Sequence, residues 1–188
     1  MPTQNDAMGY PQAVRPNGFS LNYCASMEMA AHAGDEGQTY SALCTADPGA
    51  AGTCDFFYMK NTTDTIMRIY KIKAAPPTVS IEVSITVGVT GSPTSGSNVT
   101  PVNALVGSGS IVAEGDVQQR DGDMALTGGS VFDVLFLDKD FVGEMVWNYP
   151  GEIALMKNQA LVFNNNIDPT SDIDMTVYFY FHEAIKKP

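Results

Sequence analysis

The stretch Thr78-Val79-Ser80-Ile81-Glu82-Val83-Ser84-Ile85-Thr86-Val87-Gly88-Val89-Thr90 decides the fold. Val79, Ile81, Val83, Ile85, Val87 and Val89 hold every odd position, and polar residues or glycine hold the even ones. Side chains of a strand alternate between its two faces, so this pattern predicts a strand with one buried and one wet face. No 3.6-residue period fits it. The run TGSPTSGSN at 90–98 is built of turn residues and reads as a loop or hairpin tip.

Outward from this strand the signal repeats. At 173–182, Ile173, Met175, Val177, Phe179 and Phe181 alternate with Asp174, Thr176, Tyr178, Tyr180 and His182. Shorter strands are predicted at 56–60, 65–73, 110–114, 131–138, 144–147, 152–156 and 161–164. Turn signals separate them, among them Pro76-Pro77, Asp121-Gly122, Gly128-Gly129, Pro150-Gly151 and Lys157-Asn158. Many short strands with no helical pattern between them predict an all-β fold: an antiparallel β-sandwich, jelly-roll-like, over residues 56–188.

Residues 1–55 differ. They hold Pro2, Pro11, Pro16 and Pro48 and no sustained period, so they read as an extended N-terminal arm with little regular structure. A short helix at 24–33, ended by Gly34, is the one element expected there.

Composition narrows the function. Lys and Arg number 10 against 21 Asp and Glu, for a net charge of −11. Such a chain repels nucleic acid and anionic lipid, which need clustered Lys and Arg. No apolar run is long enough to span a membrane, and the first residues lack the basic and apolar regions of a secretory signal. Synthesis in a cytoplasm is therefore expected. Charged residues are only 16% of the chain, against about 25% in an ordinary soluble domain. Much uncharged surface is left, and a partner is expected to cover part of it.

No catalytic set emerges. His32 and His182 are the only histidines, there is no G-x-S-x-G elbow, and neither phosphate-loop pattern is present. The chain is therefore read as non-enzymatic. Acid groups at Glu114, Asp116, Asp121 and Asp123, at Asp138, Asp140 and Glu144, and at Asp168, Asp172 and Asp174 lie mostly at turns, where Asp caps and reverses the chain. Paired acids of a glycosidase would need a cleft geometry that sequence does not supply. Asp121-Gly122-Asp123 and residues 164–168 have the oxygen atoms for Ca2+ but not the EF-hand spacing. A structural Ca2+ is the one cofactor left open, and none is required. Cys24, Cys44 and Cys54 are expected as buried thiols. A Cys44–Cys54 bridge around the Asp47-Pro48-Gly49 turn stays open, as does a weak zinc set completed by His32.

The aromatic outer face of 173–182 is not an ordinary wet face. Tyr178, Tyr180 and His182 are therefore expected at an oligomer interface. Tyr10, Phe19 and Tyr23 are expected to anchor the arm on a neighbouring protein. A carbohydrate-binding or fibre-tip module is the competing reading, with Trp147, Tyr149 and Tyr178 stacking on sugars.

The order of three motifs carries a resemblance. They are Val146-Trp147-Asn148-Tyr149-Pro150-Gly151-Glu152-Ile153-Ala154-Leu155, then 157–165 (KNQALVFNN), then 173–183 (IDMTVYFYFHE). This closing half resembles that of jelly-roll structural proteins of tailed-bacteriophage virions, notably capsid decoration (cement) proteins. The resemblance implies a homotrimer on the capsid exterior, bound to the major capsid protein, with no nucleic-acid or membrane partner.

Overall fold

The computed structural model describes residues 39–48, 54–94, 96–104, 115–167 and 172–182. Among these there is no helix. Eleven strands run in chain order: β1 (Thr39–Ala46), β2 (Cys54–Asn61), β3 (Ile66–Ala74), β4 (Ile81–Thr90), β5 (Ser97–Asn98), β6 (Val102–Asn103), β7 (Gly115–Gln119), β8 (Thr127–Leu137), β9 (Met145–Leu155), β10 (Ala160–Asn165) and β11 (Ile173–His182). They form an antiparallel sandwich of two sheets, ordered β6-β1-β11-β3-β9 and β5-β7-β2-β10-β4-β8.

The eight longest strands trace one long rolled hairpin. β1 to β4 lead out and β8 to β11 return, and the legs pair as β1 with β11, β2 with β10, β3 with β9 and β4 with β8. Rolling brings β11 against β3 and β10 against β4 as well. All these pairings are antiparallel, so one face of each sheet is free to meet the other.

The core follows from alternation. Ile81, Val83 and Ile85 of β4 point inward, as do Ile173, Met175, Val177 and Phe179 of β11. Phe57, Met59, Leu161 and Phe163 of the six-stranded sheet join the same core, with the Phe57 and Phe163 rings, neighbours on β2 and β10, stacked at 5.0 Å. Each such side chain contributes about 1.5–3 kcal/mol by leaving water. The odd-residue face of β4 does not continue unbroken. Gly88 adopts φ +74°, and beyond it Val89 packs in a second cluster with Tyr58, Met124 and Val162. Tyr58 and Val162 are paired on the outer face of the six-stranded sheet, so the segment before β8 folds across that face and covers it.

Two expectations need correction. Residues 1–55 were expected to carry little regular structure, yet β1 is a full strand between β6 and β11, and β2 starts at Cys54. β1 buries Tyr40, Ala42, Cys44 and Ala46, and small Ala and Cys side chains give a faint apolar period. Pro150-Gly151 was expected to be a turn between two strands. β9 instead runs through it, because the β3 partner of Asn148 is Lys71 and that of Ile153 is Ile69. The excess residues bulge out of the ladder, where a proline without an N–H is tolerated. The helix expected at 24–33 and the strand expected at 110–114 lie outside the described residues.

Candidate interaction surfaces

Outer-face residues of β11 were singled out by sequence. The ladder pairs Tyr178 with Lys71, Tyr180 with Arg68 and His182 with Ile66, and slips by one residue between Tyr178 and Phe179. The slip leaves Tyr70 unpaired in the register and turned to the same face, 6.3 Å from the Tyr178 ring and 6.0 Å from the Tyr180 ring. Lys71 Nζ lies 4.1 Å from the centroid of Tyr178 and Lys73 Nζ lies 5.9 Å from it. Lys73 is also bonded to Glu144 at 2.7 Å. Burial, then the like charge of Lys73, hold the Lys71 ammonium below its ordinary range. Burial, then Tyr178, push the Tyr70 phenol up.

This face is therefore a packed aromatic and cationic platform. Tyr178 and His182 are half-buried, while Tyr180 is 0% exposed within a single chain. Tyr180 has no surface left to give a partner. Beside the platform lies a shallow depression of about 250 Å³ lined by Leu43, Lys73, Ala74, Glu144, Asp174 and Thr176. Tyr10, Phe19 and Tyr23 lie outside the described residues.

Asp55, Asp121 and Asp123 are occupied as hydrogen-bond acceptors. Asp121 Oδ1 accepts from the Asp47 N–H at 3.0 Å, and Asp123 Oδ1 accepts from the Asp55 N–H at 3.1 Å and the Ala125 N–H at 2.9 Å. Asp55 accepts from Asn164 Nδ2 and the Leu126 N–H, each at 3.0 Å. Arg120 Nη1 donates to the carbonyls of Thr94 and Asp123. These bonds fasten the covering segment to the strand ends. Among the described residues, no group of three or more His, Cys, Asp or Glu is placed to hold a metal ion. Cys44 is a free, buried thiol, so the Cys44–Cys54 bridge is not formed. Burial, with Asp174 and Asp121 nearby, pushes its ionisation far up and leaves it a poor nucleophile.

The three aromatics of the sugar-binding reading do not converge. Trp147 and Tyr149 pack against the core, and Tyr178 stands on the opposite face of the same sheet. The Tyr149 hydroxyl donates to Asp133 Oδ2 at 3.0 Å.

Sequence reasoning missed the most unusual surface. β8 closes one edge of the six-stranded sheet and β9 closes one edge of the other. Along β8, the 138–144 connection and the start of β9, Val131, Phe132, Val134, Phe136, Phe141, Val142 and Val146 are all exposed. Phe136 is 57% exposed and Val142 95%. Single exposed apolar residues are ordinary, but this many close together in the chain at a sheet edge are suited to contact with a partner. The apolar run at 131–137 reads as a core strand, and only the strand order reveals it as an edge.

No protein-family model, curated protein or solved structure matches this chain.

Proposed function

We propose that this chain is a non-enzymatic structural subunit of a phage virion, a decoration protein that binds the outer surface of the head. In this reading it bridges major capsid subunits and associates with its own copies as a trimer. The observation that carries it is the run of exposed apolar residues along the β8–β9 edge, in a chain whose net charge is −11. A chain that acts alone gains nothing from such an edge, whereas a subunit of an assembly covers it.

Three further points support the reading. The rolled-hairpin order of eight long strands is what a jelly roll requires, and jelly rolls serve in capsids, lectins and cupins alike, so the order fits without choosing among them. Asp55, Asp121 and Asp123 are engaged in backbone hydrogen bonds. The acidic balance disfavours contact with the packaged genome.

The test is co-sedimentation of the purified chain with heads of the encoding virus that lack it. Saturable binding at a fixed number of copies per head is expected. Heads that leave the chain in the supernatant at every concentration overturn the reading.

A further inference from the structure

β3 carries Arg68, Lys71 and Lys73, three of the chain's 10 Lys and Arg, and lies between β11 and β9 in the five-stranded sheet. Its cations therefore stand on the middle of an outer face and not at a rim. The registers build two rows across four strands. One row is Ser41, Tyr178, Lys71 and Asn148, and the next is Leu43, Thr176, Lys73 and Val146. Rows two residues apart on a strand are separated by about 7 Å.

The two lysines differ in their partners. Lys73 is bonded to Glu144 at 2.7 Å, and Asp174, farther along β11, takes the Thr45 hydroxyl at 2.8 Å. Among the described residues nothing bonds the Lys71 ammonium. Its contacts are the Tyr178 ring at 4.1 Å and the Tyr70 ring at 5.9 Å. Glu144 acts on it only through space, and less strongly than burial and Lys73 do. A half-buried cation is thus left without a counter-ion, which is costly until one arrives.

The surroundings select the anion. Glu144 and Asp174 flank the lysines and repel a second negative charge, so a single carboxylate fits better than a phosphate dianion. Lys73 already takes a carboxylate on this face. The Tyr178 ring, which could stack on a sugar, carries the Lys71 ammonium on its face instead. Beside Lys73 the depression of about 250 Å³ is lined by the aliphatic groups of Leu43, Ala74 and Ala75, and Leu43 is 58% exposed. An aliphatic side chain gains by leaving water there. On an extended segment, side chains two residues apart share a side and lie about 7 Å apart, which is the spacing of the two rows.

We propose that this outer face binds an extended protein segment carrying a carboxylate side chain and an aliphatic side chain two residues apart. The carboxylate sits on the Lys71 ammonium, and the aliphatic group sits in the depression over Leu43, Ala74 and Ala75. The site is built from this face alone and requires no capsid.

The test is NMR of the isotope-labelled full chain titrated with the peptide acetyl-Glu-Ser-Leu amide. Saturable shifts are expected at the Lys71 side chain, the Tyr178 ring and the Leu43 methyl groups. On the unaltered chain, acetyl-Gln-Ser-Leu amide is expected to bind about tenfold more weakly, through loss of one charge-assisted bond. Lys71→Gln is expected to weaken the Glu peptide by the same factor, with unshifted core methyl groups as the check on its fold. Lys71→Arg keeps the charge and is expected to bind. Lys157→Gln makes an equal change of net charge at an exposed lysine paired with Asp64, and is expected to bind like the unaltered chain. The proposal is overturned by a Glu peptide that gives no saturable shift, by a Gln peptide that binds equally, or by a folded Lys71→Gln chain that binds undiminished. It is also overturned by a Lys157→Gln loss equal to that of Lys71→Gln, which would mean bulk charge alone. Trigalacturonate binding the same residues more tightly than the peptide would assign the face to acidic sugars instead. Peptide binding without head binding would sink the capsid reading alone.

Discussion

The Tyr149 hydroxyl donates a 3.0 Å hydrogen bond to Asp133 Oδ2, and so ties the edge strand of one sheet to the edge strand of the other. The Phe132 ring lies 6.2 Å from the Tyr149 ring beside this bond. An edge strand paired on one side only has few other anchors. The bond therefore holds the open side of the sandwich together.

Tyr149→Phe removes that donor and leaves Asp133 without its cross-sheet partner. A loss of about 1–2 kcal/mol is expected, read as a lower urea midpoint at neutral pH. A pH series adds the sign. Burial, then the bond to Asp133 and its charge, raise the phenol above its ordinary value of about 10. A group raised on folding contributes fully below its unfolded pKa, and the contribution is lost as pH rises through the folded value. Stability is expected to fall as pH climbs past about 10, and less steeply in Tyr149→Phe. Tyr58 and Tyr70 are also raised, so part of the fall persists in the variant.

Asn61 is 0% exposed and works as a four-way clamp. Its Nδ2 donates to the Thr65 carbonyl at 2.7 Å and the Leu155 carbonyl at 2.8 Å. Its Oδ1 accepts from the Thr63 N–H and hydroxyl, each at 2.9 Å. Asn61→Ala strands these groups and is expected to cost about 2–4 kcal/mol in denaturant unfolding. The clamp also bears on the Asn61-Thr62-Thr63 and Asn98-Val99-Thr100 sequons. An oligosaccharyltransferase given the folded chain is expected to modify exposed Asn98 and spare Asn61, with glycopeptide mapping as the readout.

Ala125 in the covering segment and Gly129 in β8 are both left-handed and predict opposite outcomes. Ala125 has φ +53°, held there by the bond from its N–H to Asp123. Ala125→Gly relieves the Cβ strain and is expected to stabilise by about 0.5–1 kcal/mol. Gly129 has φ +86°, and an added Cβ would lie 2.8 Å from the Val87 carbonyl oxygen and 2.8 Å from Thr86 Cγ2. Gly129→Ala is expected to cost about 1–3 kcal/mol. Thermal melts of the pair should move in opposite directions, and equal shifts would refute this account of the segment.

Legibility tracked side-chain size and strand order. The β4 and β11 strands were readable because bulky β-branched and aromatic residues alternate strictly there. β7, with the sequence GDVQQ, buries only Val117 and gives no apolar period. β5 and β6 are two residues each, too short for any period. The aromatic face of β11 was legible, but Tyr70 joins it only because the β3 ladder slips, and register slips are a product of pairing. The β8 edge was illegible for the same reason. VLFL reads alike at an edge or in a core, and position in the sheet depends on contacts far along the chain.

β1 provides the sharpest test of where the folded body begins. Eight residues of β1 pair with β11, and the Tyr40 ring stacks on Phe179 at 5.6 Å and meets Phe181 edge-on at 5.8 Å. A chain starting at Phe56 lacks all of this and leaves the β11 ladder open on that side. Tyr40 alone accounts for about 1.5–3 kcal/mol of burial, and the bared Phe179 and Phe181 add to the loss. A typical domain has only about 5–15 kcal/mol in total. The 56–188 chain is therefore expected to be unfolded or aggregated. A chain starting at Thr39 keeps every described strand and is expected to show a cooperative urea transition. A cooperative transition for 56–188 at an unchanged midpoint would mean that β1 is dispensable. Head binding by the 39–188 chain then isolates what residues 1–38 contribute, without the loss of β1 confusing the result.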